Sequence, residues 1–152
     1  MKLAEALAER ADLQTRLVAL ATRAKASARH QEGETPAEDP AALLAEMDRI
    51  VARLEVLVVR INTQNLATDV SPGLSMTAAL ARRDSLRRLQ KSRAELADAA
   101  SASVDRYTRT ELRSLTTLDV KTLRDEADAF AKDARELDTR IQGVNWTTDM
   151  AE

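Results

Sequence analysis

Residues that break helices are scarce in this chain of 152 residues, and nearly all of them fall in two places. Five of the six glycines and prolines lie in the stretches 33–40 and 72–73. Because glycine and proline are the residues that most strongly interrupt helices, the long segments between these stretches are free to be helical. The spacing predicts an all-α chain whose corners lie at the two stretches.

Between these corners, apolar residues recur at alternating spacings of three and four, as in helices that bury one face. The pattern predicts helices over about residues 2–29, 40–66, 76–107 and 119–145. The fourth helix has the longest unbroken series: Val120, Leu123, Ala127, Phe130, Ala134, Leu137, Ile141 and Val144. Residues 108–118 are rich in β-branched and hydroxylated side chains, which predicts an extended connection or short arm. The predicted fold is a single domain over residues 1–152, an elongated bundle of about four long amphipathic helices.

The first and second helices depart from a single apolar seam, that is, one narrow stripe that packs against one neighbouring helix. In the second helix, Leu44, Val51 and Val58 widen the apolar stripe at heptad intervals, which predicts contacts with two neighbours. Arg10 interrupts the apolar series of the first helix. Since long thin helices bury more surface when they meet another copy, we expect a homo-oligomer.

Arg82 and Arg93 fall in the apolar stripe of the third helix, which runs through Leu89 and Leu96. A guanidinium group in a seam must be hydrogen-bonded or stay at its edge, because burying an unpaired charge is costly. We expect these two arginines to set helix register or oligomeric state.

Composition narrows the class of function. The net charge of −2 argues against a protein whose main task is to coat nucleic acid or an anionic membrane. The absence of cysteine excludes disulfides, thiolate catalysis and iron–sulfur ligation. Acidic residues near the start of the chain are unlike a signal or transit peptide, and no apolar run could span a bilayer. We therefore expect a soluble cytoplasmic protein without a membrane partner.

Catalytic motifs are missing from the sequence. His30 is the only histidine, so a di-iron bundle, which needs Glu-x-x-His on two helices, is excluded. His30 follows the first helix, where a cap or simple exposure is expected. Metal, phosphate-loop, dinucleotide and nucleophile-elbow motifs are absent. The sequence predicts no enzyme, cofactor or metal, with a metal-independent enzyme using carboxylates or arginine between subunits as a residual alternative.

A basic stretch in the third helix is the strongest local charge feature. It could bind an anion through Arg82, Arg83, Arg87, Arg88 and Lys91. The competing interpretation is a solvated face or ion pairs within the bundle, with Asp84 pairing to Arg88 one turn on. Nucleic-acid binding is weakly supported because no aromatic residue lies nearby to stack on a base.

Other polar positions leave alternatives open. Asn62, Gln64 and Asn65 either end the second helix, before the loop residues Thr68, Asp69 and Pro72, or form a buried amide cluster. Trp146, the only tryptophan, is predicted to anchor packing at the bundle end, with ligand stacking as the alternative. A site at the third corner would use Arg106, Tyr107 and Arg109.

Several segments resemble a known family when they are taken together and in order: MKLAEALAERADLQTRL, GETPAEDP, INTQN, ALARRD, RYTRTELRSLTTLDV and ELDTRIQGVNW. They resemble small bacterial all-helical proteins of unknown function that are often labelled septicolysin-like. The resemblance covers almost the whole chain and implies a helical fold and a bacterial source. It also marks motif-rich polar positions where a family site could lie: Asn62, Asn65, Asp84, Arg106, Tyr107, Arg109 and Trp146.

Two functions from different classes follow. The leading hypothesis is a non-enzymatic, cytoplasmic, homo-oligomeric helical scaffold or interaction protein. The alternative is an anion- or nucleic-acid-binding protein that uses the basic stretch of the third helix. The sequence names no small-molecule ligand.

Overall fold

The structure, a computed structural model, describes residues 1–101 and 115–150. In this part of the chain 77% of the residues are helical, which confirms the all-α, bundle-like prediction. The helices are α1 (Leu3–Ala26), α2 (Pro40–Ala67), α3 (Met76–Ser101) and α4 (Val120–Thr147). A small hairpin, β1 (Asp69–Ser71) and β2 (Leu74–Ser75), separates α2 from α3. Two compact units result: one comprises Met1–Ser75 with Gln142–Glu152, and the other comprises Met76–Ile141. The single-domain organisation remains a prediction.

The helix ends follow local hydrogen bonding. Asp39 caps α2 by accepting a hydrogen bond from the Ala41 N–H (3.0 Å), and Pro40 occupies the first helical position, where its missing N–H costs nothing. At α4, Asp119 accepts hydrogen bonds from the Lys121 N–H (3.0 Å) and the Thr122 hydroxyl (2.6 Å). Residues 115–119 are irregular and exposed, and residues 108–114 of the predicted connection lie outside the described chain.

The corner after α2 is more ordered than the loop that the sequence predicted. β1 and β2 pair antiparallel around Pro72 and Gly73. Gly73 has φ +75°, a left-handed conformation that only glycine adopts without strain, and proline before it favours such a turn. The Pro-Gly pair therefore folds residues 69–75 back on themselves.

In the first unit, α1 and α2 run antiparallel and share an apolar seam. Its most buried large side chains are Leu3, Leu13, Leu20, Leu43, Ile50, Leu57 and Ile61. The start of α1 is also joined to residues 147–150: the Leu3 N–H donates to Thr148 O (2.9 Å), and Lys2 Nζ lies 2.8 Å from the Asp149 carboxylate. Asp149 has a pKa below its usual value because this lysine donates to it.

In the second unit, the predicted series of α4 is correct: all of its members are buried or half-buried. The predicted stripe of α3 is wrong in its second half. Leu89 and Leu96 are exposed, whereas Gln90 and Ala94 are half-buried and Ala97 is fully buried. Ala94 and Ala97 of α3 line a groove together with Ala127 of α4, and helices with alanine at their contact can approach closely. The face of α3 that turns toward α4 in this part of the helix therefore carries alanines, and the spacing of Leu89 and Leu96 did not predict it.

Candidate functional site

The basic stretch of α3 is largely occupied by carboxylates. Arg83 lies with only 19% of its side chain exposed, 3.0 Å from Asp84 and 3.1 Å from Asp138 of α4. Burial by itself would lower the pKa of Arg83, but the hydrogen bonds to these two carboxylates outweigh it, and the pKa is raised. Asp84 therefore pairs with Arg83, which corrects the predicted pairing with Arg88.

The remaining cations of the stretch do not gather at one place. Arg87 also reaches Asp138 (3.4 Å), and Lys91 forms an i,i+4 pair with Glu95 (3.7 Å). Arg82 and Arg88 are exposed and make no ion pair within the described residues. Six residues apart, they point about 120° away from each other around the helix. The structure therefore brings Arg83 and Arg87 together, around one carboxylate, and separates the other three cations.

The two arginines predicted to lie in the α3 seam have different places. Arg93 is half-buried, and its Nε donates to Glu126 of α4 at 2.6 Å. Arg82 is exposed, so its predicted seam position is wrong. Of these two arginines, only Arg93 is placed to act on the register of α3 against α4.

Two shallow grooves lie between α3 and α4. The first, about 270 Å³, is lined by Arg87, Gln90, Ala131, Ala134, Arg135 and Asp138. The second, about 200 Å³, is lined by Gln90, Ala94, Ala97, Asp98, Arg124, Ala127 and Asp128. Both are below the roughly 300 Å³ at which ligand pockets usually begin. Three of the six residues that line the first groove and three of the seven that line the second are charged, and Asp138 and Asp98 already contact arginines.

The amide residues near the end of α2 lie within the helix, which continues to Ala67. Asn62 is exposed, while Gln64 and Asn65 are half-buried. The Gln64 amide donates to the Thr68 hydroxyl at 3.0 Å, one turn further along. Asn62 and Asn65 are neighbours on the helix surface, but because Asn62 is exposed the three amides form no buried cluster.

Trp146 is 64% exposed, so its predicted role as a packing anchor is wrong. One residue earlier, Asn145 turns inward and is buried, and Met150 is buried as well. Because neighbouring helical residues point about 100° apart, burial of Asn145 leaves Trp146 outside. Ligand stacking on Trp146 remains a prediction, and Arg106, Tyr107 and Arg109 lie outside the described residues.

Among residues 1–101 and 115–150, no three histidine, cysteine or acidic side chains come together as metal ligands would. His30 is exposed beyond the end of α1. None of the described helices combines the length and apolar character needed to cross a bilayer.

The two sides of the α1–α2 hairpin differ strongly, and the sequence predicted only part of this difference. On one side, which we call the ladder face, three ion pairs follow at heptad intervals: Glu9–Arg53 (2.7 Å), Arg16–Glu46 (3.0 Å) and Arg23–Glu38. The other side, which we call the open face, carries Ala11, Gln14, Val18, Ala21 and Lys25 of α1 and Leu44, Asp48, Val51, Glu55 and Val58 of α2. The α2 row was visible as a heptad series. The α1 row could be matched to it only once the ion pairs fixed the register.

Comparison with known proteins identifies the family. The family of unknown function DUF6847 matches residues 10–150. The chain belongs to this family. A crystal structure of a functionally unknown conserved protein from Corynebacterium diphtheriae is similar to it, with 39% sequence identity, a TM-score of 0.93 and 99% of each chain covered. No curated protein matches the chain.

These findings confirm the resemblance to a family of unknown function. They lend no support to the label septicolysin-like. Because the function of DUF6847 is unknown, family membership assigns no activity to this chain. The surfaces of the chain are the remaining source of information on its function.

Proposed function

We propose that this DUF6847 protein is a non-enzymatic helical interaction protein that associates with copies of itself and serves as a scaffold in the cytoplasm. One observation carries the proposal: Leu44 and Val51 are 54% and 51% exposed, although they lie at heptad spacing directly beside a completed seam. Single exposed apolar residues are common on monomers. A continuous row at heptad spacing is the pattern with which a helix meets a further helix in coiled coils.

The alternative, anion or nucleic-acid binding by the basic stretch of α3, has less support. Carboxylates already lie against Arg83, Arg87 and Lys91. A phosphate would have to displace these intramolecular partners, and Arg82 and Arg88 point in different directions. No observation favours this second function.

Multi-angle light scattering on the purified protein, at about 50 and about 500 mM salt, tests the proposal, with absorbance at 260 and 280 nm across the peak. We expect a discrete oligomer whose mass does not depend on salt, because apolar contacts are not screened by ions. A monomer at all concentrations would contradict self-association. A 260 nm excess that disappears at high salt would favour the nucleic-acid alternative.

A further inference from the structure

The charges of the α1–α2 hairpin are distributed unevenly between its two faces. On the ladder face, Glu9, Arg16, Arg23, Glu38, Glu46 and Arg53 are all engaged in ion pairs. On the open face, Lys25, Asp48 and Glu55 make no ion pair in the part of the chain that the structure describes. These six charges of the ladder face are thus paired within the chain, whereas the three charges of the open face are not.

The two edges of the open face are complementary in size. Near Lys25 the α1 side presents the small residues Ala21, Ala24 and Ala28, and the α2 side presents the larger Leu44 and Met47. Between them lies an apolar groove of about 320 Å³, lined by Ala21, Ala24, Lys25, Ala28, Pro40, Leu44 and Met47. Ala21 and Leu44 therefore lie at the same level along the hairpin. A second α2 laid over α1 would bring its leucine onto alanines, the large-on-small packing that fills space without voids.

The two edges also differ in charge. Lys25 is the one charged residue on the α1 edge of the open face, and α2 contributes Asp48 and Glu55. An arrangement that placed α2 against its own copy would bring these acids together, which is repulsive. An arrangement that places α1 of one copy against α2 of the other avoids this repulsion, because the α1 edge of the open face carries no acidic residue.

We propose that the open face binds a second copy of this chain about a two-fold axis parallel to the hairpin, so that α1 of each copy packs on α2 of the other. Such a contact is isologous: Leu44 of each copy enters the groove beside Ala21 of the other. A hairpin of a 24-residue helix and a 28-residue helix, each about 10 Å wide, offers a face of about 40 by 20 Å, or about 800 Å². This matches the surface that each partner buries in a stable interface. The inference rests on the proposed self-association and specifies its surface.

Site-directed crosslinking tests this arrangement, and the chain has no native cysteine to interfere. Differently tagged A21C and L44C chains are coexpressed, purified through both tags and treated with a short bismaleimide. We expect several-fold more crosslinked dimer from this pair than from either variant alone. The matched control pairs A21C with V56C, because Val56 is 48% exposed but lies five residues from Val51, about 140° around the helix. Circular dichroism verifies that every variant keeps its helicity.

The outcomes separate this inference from the proposed function. Loss of the A21C–L44C product, equal crosslinking in the V56C control, or stronger crosslinking of a single variant with itself would overturn the open-face arrangement. Self-association would still stand if light scattering gave an oligomer. A wild-type chain that is monomeric by light scattering and gives no crosslinked product would overturn both.

Discussion

Each helix pair of this protein places an arginine at a seam position, and the two arginines have different surroundings. In the α3–α4 pair, Arg93 donates to Glu126 at 2.6 Å. In the α1–α2 pair, Arg10 is half-buried, and its Nε finds no hydrogen-bond partner within the described residues. A buried donor without a partner costs free energy that a paired one does not. The α3–α4 pair thus gives its seam arginine a carboxylate partner, whereas the α1–α2 pair leaves the Nε of Arg10 without one.

The two helix pairs also differ in how they use their carboxylates and apolar residues. In the α3–α4 pair, carboxylates such as Asp138 and Glu126 pair with arginines of α3, and alanines lie at the helix contact. The α1–α2 pair closes one face with ion pairs and leaves Leu44 and Val51 exposed on the other. The exposed row and the unpartnered Nε of Arg10 belong to the same unit. We therefore expect the α1–α2 pair to meet the partner that we propose.

The largest expected effect tests the register of the α3–α4 pair. Leu137→Asp places a charge at a seam position that is 2% exposed and should lower the free energy of unfolding by roughly 3–5 kcal/mol. Leu89→Asp, at a side chain excluded from the seam, should cost less than about 1 kcal/mol. Urea unfolding of both variants measures the difference. Equal losses would mean that Leu89 belongs to the seam after all.

The next effect tests the comparison of the two arginines directly. Arg93→Met should lower the free energy of unfolding by about 1 kcal/mol, because Glu126 loses its partner. Arg10→Met keeps the aliphatic stem and removes an unpaired donor, so it should be neutral or stabilising by up to about 1 kcal/mol. Urea midpoints of the two variants report the sign. Destabilisation by both to the same extent would show that the α1–α2 seam satisfies Arg10 as well.

The smallest effect concerns the ladder face and depends on pH. The Arg53 guanidinium lowers the pKa of Glu9 by hydrogen bonding to its carboxylate. A carboxyl group with a lowered folded-state pKa stabilises the fold above its unfolded pKa of about 4.3 and loses this contribution as pH falls through the folded value. Arg53→Gln should therefore reduce stability at pH 7 by no more than about 1 kcal/mol, since the pair is partly exposed.

Thermal unfolding at neutral and acidic pH measures this contribution. The difference between wild type and Arg53→Gln should vanish once Glu9 is protonated. Arg49→Gln is the matched control, because Arg49 is exposed on the same helix and makes no ion pair among the described residues. An Arg53→Gln deficit that persists unchanged in acid would mean that Arg53 acts through packing of its stem.

Much of the fold follows from the sequence because its signals are local. Pro40 after Asp39 marks the start of α2, and the apolar series of α4 specifies its buried face. The Pro72-Gly73 pair contained the signal for a turn, but strand pairing over so few residues depends on where the flanking helices end. In α3, leucine spacing predicted the wrong face, because alanines on α4 set the packing distance.

The candidate site was harder to predict than the fold. Which carboxylate pairs with Arg83 depends on where α4 places Asp138, a residue far away in the chain. Trp146 is exposed because Asn145 takes the inward position. Helical spacing alone does not determine which of these two adjacent residues is buried. The open face needed the register of α1 against α2, which the ion pairs supply.

In our proposal, the open face of α1–α2 holds two copies of the chain together. Sedimentation equilibrium of wild type, Val51→Glu and Val56→Glu tests it most directly, because the two valines are 51% and 48% exposed and differ mainly in the face they occupy. Burying a charge in the interface should raise the dimer dissociation constant of Val51→Glu by roughly a hundredfold, with Val56→Glu unchanged. Equal dissociation constants for the two variants, or a monomeric wild type, would contradict the account.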